Sequence, residues 1–167
     1  MKKLPSAVSE EDFVKLIKNT NNGKHKLAFL LGFGAGLRIS EVVNLEKRDI
    51  NFREKRIFIR QGKGGKDRVV PLPKGFKQKH LDLIPFNVGV RTLQIAFKKN
   101  AEKAGLLKEK PKLHFHSLRH GFGSTLANKG VPIHHIRTLM GHSNISTTNV
   151  YLELNPTEAL RSYEELF

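Results

Sequence analysis

The stretch KLAFLLGFGAGLRIS, residues 26–40, is apolar on nearly every side until Arg38. A helix without a polar stripe cannot lie on a surface and reads as a buried helix, here ending at a glycine-rich turn. A guanidinium directly after such a segment has two readings. It is one half of a buried ion pair, with Glu41 as the near partner, or it is an anion clamp at the mouth of a pocket.

The remaining patterns are mostly helical. Ser9 and Asp12 form a capping box ahead of Phe13, Leu16 and Ile17, which predicts a helix over 9–19. Val90 to Ala104 is helical with Gly105 as its stop, and HSLRHGFGSTLANKG, residues 116–130, is helical up to Gly130. Gly121 and Gly123 lie inside that helix, where each costs up to about 1 kcal/mol. Pro132 opens a further helix through Met140, and Pro156–Phe167 forms a last one. Two β-rich runs, Arg56–Arg60 and Arg68–Leu72, flank a Gly/Lys tip and read as a hairpin, with a short strand near Asp49–Phe52 beside it. The expected fold is mainly α with a small antiparallel β-sheet (α+β), and residues 1–167 are expected to make a single domain.

Charge narrows the partner. Thirty Lys and Arg against 15 Asp and Glu give a net charge of +15 and a pI near 10.2. Such an excess suits a polyanion, whose phosphates release condensed counterions on contact; the plainer reading is a solvated basic surface. The chain has no cysteine, which excludes disulfides and thiolate metal sites and fits a reducing interior. No apolar run approaches the roughly 20 residues of a membrane span. The start, MKKLPSAVSEED, lacks the apolar stretch of a signal peptide. The expected compartment is the cytoplasm.

Three further segments carry polar groups that a core does not need. GKGGKDR, residues 62–68, lacks a Ser or Thr after Lys66 and lies in a hairpin, so it is not a phosphate loop of the nucleotide-binding kind. Lys63 and Lys66 either lie against a nucleic-acid backbone or decorate a solvated turn. In LHFHSLRHGF, residues 113–122, His116 and Arg119 share a helix face. His116 and His120 have metal-pair spacing, but the glutamate of the zinc motif is missing and Arg119 is a poor neighbour for a cation. In GHSNISTTNVYLEL, residues 141–154, His142 and Tyr151 bracket a polar run. An isolated tyrosine is ordinarily a half-buried packing residue. That reading suits Tyr163, which shares an apolar stripe with Leu160, Leu166 and Phe167.

In chain order these segments, GLRISE, GKGGKDRVVPL, HSLRHGF and MGHSNISTTNVY, preceded by LPSAVSEEDF, resemble the tyrosine recombinase (phage integrase) family, and its Xer-type members in particular. The resemblance covers essentially the whole chain as that family's catalytic domain and implies its fold. It makes Arg38 and Arg119 the phosphate-clamping arginines, Lys63 the hairpin lysine, His116 and His142 the paired histidines, and Tyr151 the nucleophile. The implied activity is site-specific DNA cleavage and rejoining through a 3′-phosphotyrosyl intermediate, with no cofactor and no metal. Double-stranded DNA is the implied partner, with self-association on it as a synaptic tetramer and no membrane. Runner-up readings are a type IB topoisomerase and a non-catalytic DNA-binding relic.

The chemistry fits those residue types. Attack on a phosphodiester builds charge on the non-bridging oxygens, which two guanidiniums hold in fixed geometry. Tyrosine, with a pKa near 10, needs a proton acceptor, and the departing 5′ oxygen needs a donor. Two departures from the family stand out. The usual N-terminal helical domain is expected to be missing from this chain, and Gly121 and Gly123 replace Thr, Ala or Ser, which is expected to loosen their helix.

Overall fold

The computed structural model describes residues 6–60, 65–141 and 156–167, the last segment with side chains from 159 onward. Eight α-helices and three short strands are present among them. In chain order they are α1 Glu10–Lys18, α2 Gly23–Ala35, α3 Ile39–Val43, β1 Ile50–Asn51, β2 Arg56–Ile59 and β3 Arg68–Pro71. They continue with α4 Val90–Lys103, α5 Leu106–Glu109, α6 His116–Asn128, α7 Ile133–Met140 and α8 Pro156–Glu164.

The apolar helix is the centre, as its lack of a polar stripe requires. Leu27, Ala28, Phe29, Leu31, Gly32 and Ala35 of α2 are all buried, and α1, α3, α4, α6 and β3 pack against it. Phe29 meets Phe97 of α4 edge-on, with ring centroids 5.6 Å apart. A second cluster joins Phe122 and Leu126 of α6 to Ile136 and Leu139 of α7 and to Leu160 and Tyr163 of α8. The sheet runs β1-β2-β3, antiparallel throughout, with Ile57 opposite Val70 and Ile59 opposite Arg68. The fold is the α+β arrangement expected.

Local signals mostly held where their chemistry was strong. The Ser9 box closes both ways: Asp12 N–H donates to Ser9 Oγ at 3.1 Å and Ser9 N–H to Asp12 Oδ2 at 3.0 Å. Pro132 stands one residue before α7 rather than inside it. The last helix stops at Glu164, short of Phe167. Helix α5 and the 3₁₀ turns Lys47–Asp49 and Gln78–Leu83 are too short to carry a readable period.

The two glycines of α6 have a different meaning from the loosening expected. Val8 N–H donates to Ser117 O at 3.0 Å, and the Val8 carbonyl oxygen lies 2.2 Å from where a Cβ on Gly121 would stand. Gly121 is therefore the place where the lead-in segment rests its backbone on the helix. Gly123 faces Met140, whose sulfur would lie 3.0 Å from a Cβ.

Candidate active site

Three helix ends meet where the polar segments come together. Helix α2 closes at Gly36 in the left-handed conformation, φ +69°, and a Cβ there would stand 2.5 Å from Phe122 Cδ1. Only glycine meets both demands. The turn it makes buries Leu37 and brings Arg38 to the start of α3. Arg38 N–H donates to Glu41 Oε2 at 2.8 Å, and its Nη1 to Glu41 Oε1 at 3.0 Å. The ion pair foreseen from the sequence is real. Yet the Arg38 side chain keeps 17% of its surface exposed, and a groove of about 720 Å³ opens beside it, walled in part by Asn44, Phe58 and Arg60. Arg38 is thus braced from behind and open in front.

Arg119, on α6, is only 1% exposed. Its Nη1 donates to the Gly36 carbonyl at 2.6 Å, and its Nη2 to the Met140 carbonyl. Both acceptors are at helix C-termini, where unpaired carbonyls and the helix dipole favour a cation. Burial pushes the guanidinium pKa down to about 9, helped by the charges of Arg38 and Arg68. It still stays charged at neutral pH.

Arg68 was missed by sequence reasoning, which took it as part of a β-rich run. It is nearly buried, with 8% of its side chain exposed. Nη1 and Nη2 donate to the two oxygens of Glu41 at 2.6 and 2.8 Å, and Nε donates to Leu139 O at 3.0 Å. A signal was available: on a strand of period two, Arg68 shares a face with buried Val70 and pairs with buried Ile59. Burial alone would raise the pKa of Glu41, but the hydrogen bonds and charge of Arg68, with Arg38 behind them, hold it below the usual carboxylate value.

His116 opens α6 at an exposed position. Partial shielding from water, then the neighbouring His120, Arg119, His114 and Arg38, push its pKa down to about 4. Water screens these charges because the ring is open, yet burial and all four neighbours act in the same direction, toward a neutral ring at pH 7. His120 lies edge-on to it, with centroids 4.7 Å apart. Among the described residues no group of three His, Asp or Glu is arranged to hold a metal ion.

Three of the expected site residues are thereby gathered: Arg38 and Arg119 are both close enough to act on the ionisation of His116, and Arg38 on that of Arg119. Lys63, His142 and Tyr151 lie outside the described residues. Tyr163 has the packing role expected of it: its hydroxyl donates to Gly34 O at 3.4 Å, and burial raises its pKa to about 12. His134 and His135 meet edge-on, and His135 Nδ1 lies 2.8 Å from Ser162 Oγ on α8. No helix among the described residues is long and apolar enough to cross a membrane.

Comparison with known proteins identifies the family and the fold. The model of the phage integrase family matches residues 7–84 and 87–158. The tyrosine recombinase XerA of Pyrococcus horikoshii is 34% identical over 178 residues, covering 96% of this chain and 60% of that protein. The crystal structure of a XerA recombinase superposes with a TM-score of 0.71 at 26% identity, covering 99% of this chain and 65% of that one. The XerH site-specific recombinase bound to its difH substrate superposes with a TM-score of 0.68 at 21% identity, covering 98% and 55%, a likeness of fold. The chain spans about three fifths of the length of the curated relatives it matches. With two arginines and a histidine gathered at converging helix ends, and a family model spanning most of its length, the chain belongs to the phage integrase family, among the Xer-like tyrosine recombinases.

Proposed function

We propose that residues 1–167 act as one catalytic domain that cleaves and rejoins DNA at specific sites through a phosphotyrosine. The single observation that carries this reading is the convergence of Arg38, Arg119 and His116, with the arginines held from behind by Glu41 and helix-end carbonyls. In this reading the two guanidiniums bind the non-bridging oxygens of the scissile phosphate and offset the charge that builds on them. The Tyr151 oxygen attacks phosphorus, and His116 takes its proton. The phosphorus–O5′ bond breaks, and Lys63 gives that oxygen a proton while His142 donates a hydrogen bond to the phosphate. The products are a 3′-phosphotyrosyl link and a free 5′ hydroxyl. Attack by a 5′ hydroxyl reverses every step, so rejoining needs no nucleotide.

The neutral ring of His116 supports its part as base, since only that form can accept a proton. An arriving phosphate offsets the arginine charges and so raises the histidine's pKa toward the working range. The charge of +15 suits double-stranded DNA as partner. Assembly of four copies on paired sites, and a place in the cytoplasm, complete the reading. A topoisomerase is not favoured, because the named relatives are recombinases and integrases.

Nicked duplexes test the proposal, since loss of the short 5′ fragment traps the covalent protein–DNA adduct. Adduct is expected with the wild type and with Tyr163→Phe, and none with Tyr151→Phe. Adduct that survives Tyr151→Phe would refute the assignment.

A further inference from the structure

Arg68 engages all three of its side-chain nitrogens with protein atoms, yet the reaction above gives it nothing to do. Two form a parallel fork with Glu41, at 2.6 and 2.8 Å, and Nε reaches Leu139 O at 3.0 Å. No donor nitrogen is left without a protein partner, and the group is 8% exposed. Its bidentate hold on a carboxylate marks it as a group that holds protein atoms rather than one that waits for a phosphate. Space has been kept for it, because a Cβ on Gly141 would stand 2.7 Å from Arg68 Cδ.

What Arg68 grips is informative. Glu41 Oε1 also accepts from Arg38 Nη1, and Oε2 from the Arg38 backbone. A carboxylate is flat, so a bidentate fork on one edge fixes the plane in which its other lone pairs point. Leu139 O is one residue before the Met140 carbonyl held by Arg119. One side chain from β3 therefore ties the mount of Arg38 to the helix end that seats Arg119.

We propose that Arg68 is the positioning residue of the phosphate clamp, acting through Glu41 to aim Arg38. The proposal rests on the strand-cleavage reading above. Lysine at position 68 keeps the charge but cannot form the fork. A misplacement of about 1 Å at a clamp costs on the order of 100-fold in rate.

The test uses the full chain and two versions of one nicked duplex, selected from a random library for adduct formation by the wild type. One version carries an ordinary scissile phosphate. The other carries a methylphosphonate, in which a methyl replaces one charged oxygen and so removes the charge that the clamp neutralises. Arg68→Lys is expected to slow adduct formation about 100-fold on the phosphodiester and less than about 5-fold on the methylphosphonate. Glu41→Gln should show the same selectivity. Arg38→Ala combined with Arg68→Lys should be no slower than Arg38→Ala alone. Because both substrates meet the same folded protein, a general structural defect slows both alike, and that result overturns the proposal. Equal and undiminished rates overturn it too. A wild type that forms no adduct on any library member instead fells the cleavage reading, and this one with it.

Discussion

Glu41→Gln changes one atom and should expose how the arginines are held together. Glu41 is 7% exposed and accepts hydrogen bonds from Arg38 N, Arg38 Nη1, Arg68 Nη1 and Arg68 Nη2. In the amide, an NH₂ group faces guanidinium donors, and the only carboxylate bonded to Arg38 and Arg68 among the described residues is lost. Removing one partner of a buried pair costs about 3–5 kcal/mol; the partial exposure of Arg38 and the surviving amide oxygen reduce this to about 2–4 kcal/mol. For a domain of this size that corresponds to a fall in Tm of roughly 5–15 °C, read by thermal unfolding at pH 7. The pH dependence supplies a second check. The folded carboxyl is held below the ordinary carboxylate value of 4.5, so its contribution is fully present above pH 4.5 and fades as pH falls through the folded value. The gap between wild type and variant should therefore shrink at about pH 3. A Tm within about 2 °C of wild type at pH 7, or a gap unchanged at pH 3, would refute the reasoning.

Gly121→Ala should cost about 1–3 kcal/mol in urea unfolding despite alanine's better helix propensity, because the Val8 carbonyl cannot give way. Gly123→Ala, whose one close contact is the sulfur of the flexible Met140 side chain, should lie within about 1 kcal/mol of wild type. Ser9→Ala removes the cap of α1 and should cost about 1 kcal/mol, measured the same way. In an NMR titration the His116 ring should remain neutral to well below pH 6, with a midpoint near 4, and added sulfate should raise that midpoint by offsetting Arg38 and Arg119. A midpoint at or above 6.5 would show that burial and the neighbouring cations do not depress the ring, and would refute the electrostatics argued for it.

What could be read from the sequence, and what could not, divides by the range of the forces involved. The buried helix α2, the Ser9 cap and the β2–β3 hairpin rest on neighbours a few residues away, and each is present in the fold. Arg38 was conspicuous because it ends an apolar run, and Arg119 because it shares a helix face with His116. Gly121 was misread because the atom that demands a glycine there, the Val8 carbonyl, comes from the far end of the chain. Arg68 was overlooked for a related reason: charge at the start of a strand is ordinarily solvated, and its partners Glu41 and Leu139 come from two other segments.

The arrangement also explains how so much positive charge is kept in a half-buried place before any DNA arrives. Among the described residues, Arg38, Arg68 and Arg119 stand against one bonded carboxylate, Glu41. The balance is made up partly by backbone: the carbonyls of Gly36, Leu139 and Met140 all lie at helix C-termini and each accepts from an arginine. Carbonyl dipoles stabilise a guanidinium without neutralising it, whereas a second carboxylate would cancel the charge a phosphate needs to find. This is the physical difference between an arginine that braces a clamp and one that offers its charge to an anion. Arg68 meets a full negative charge and is spent on holding Glu41. The hydrogen bonds of Arg119 to Gly36 and Met140 go to carbonyl dipoles, so its charge remains available to an anion. Arg38, sharing one carboxylate with Arg68 and open to the groove, retains much of its own.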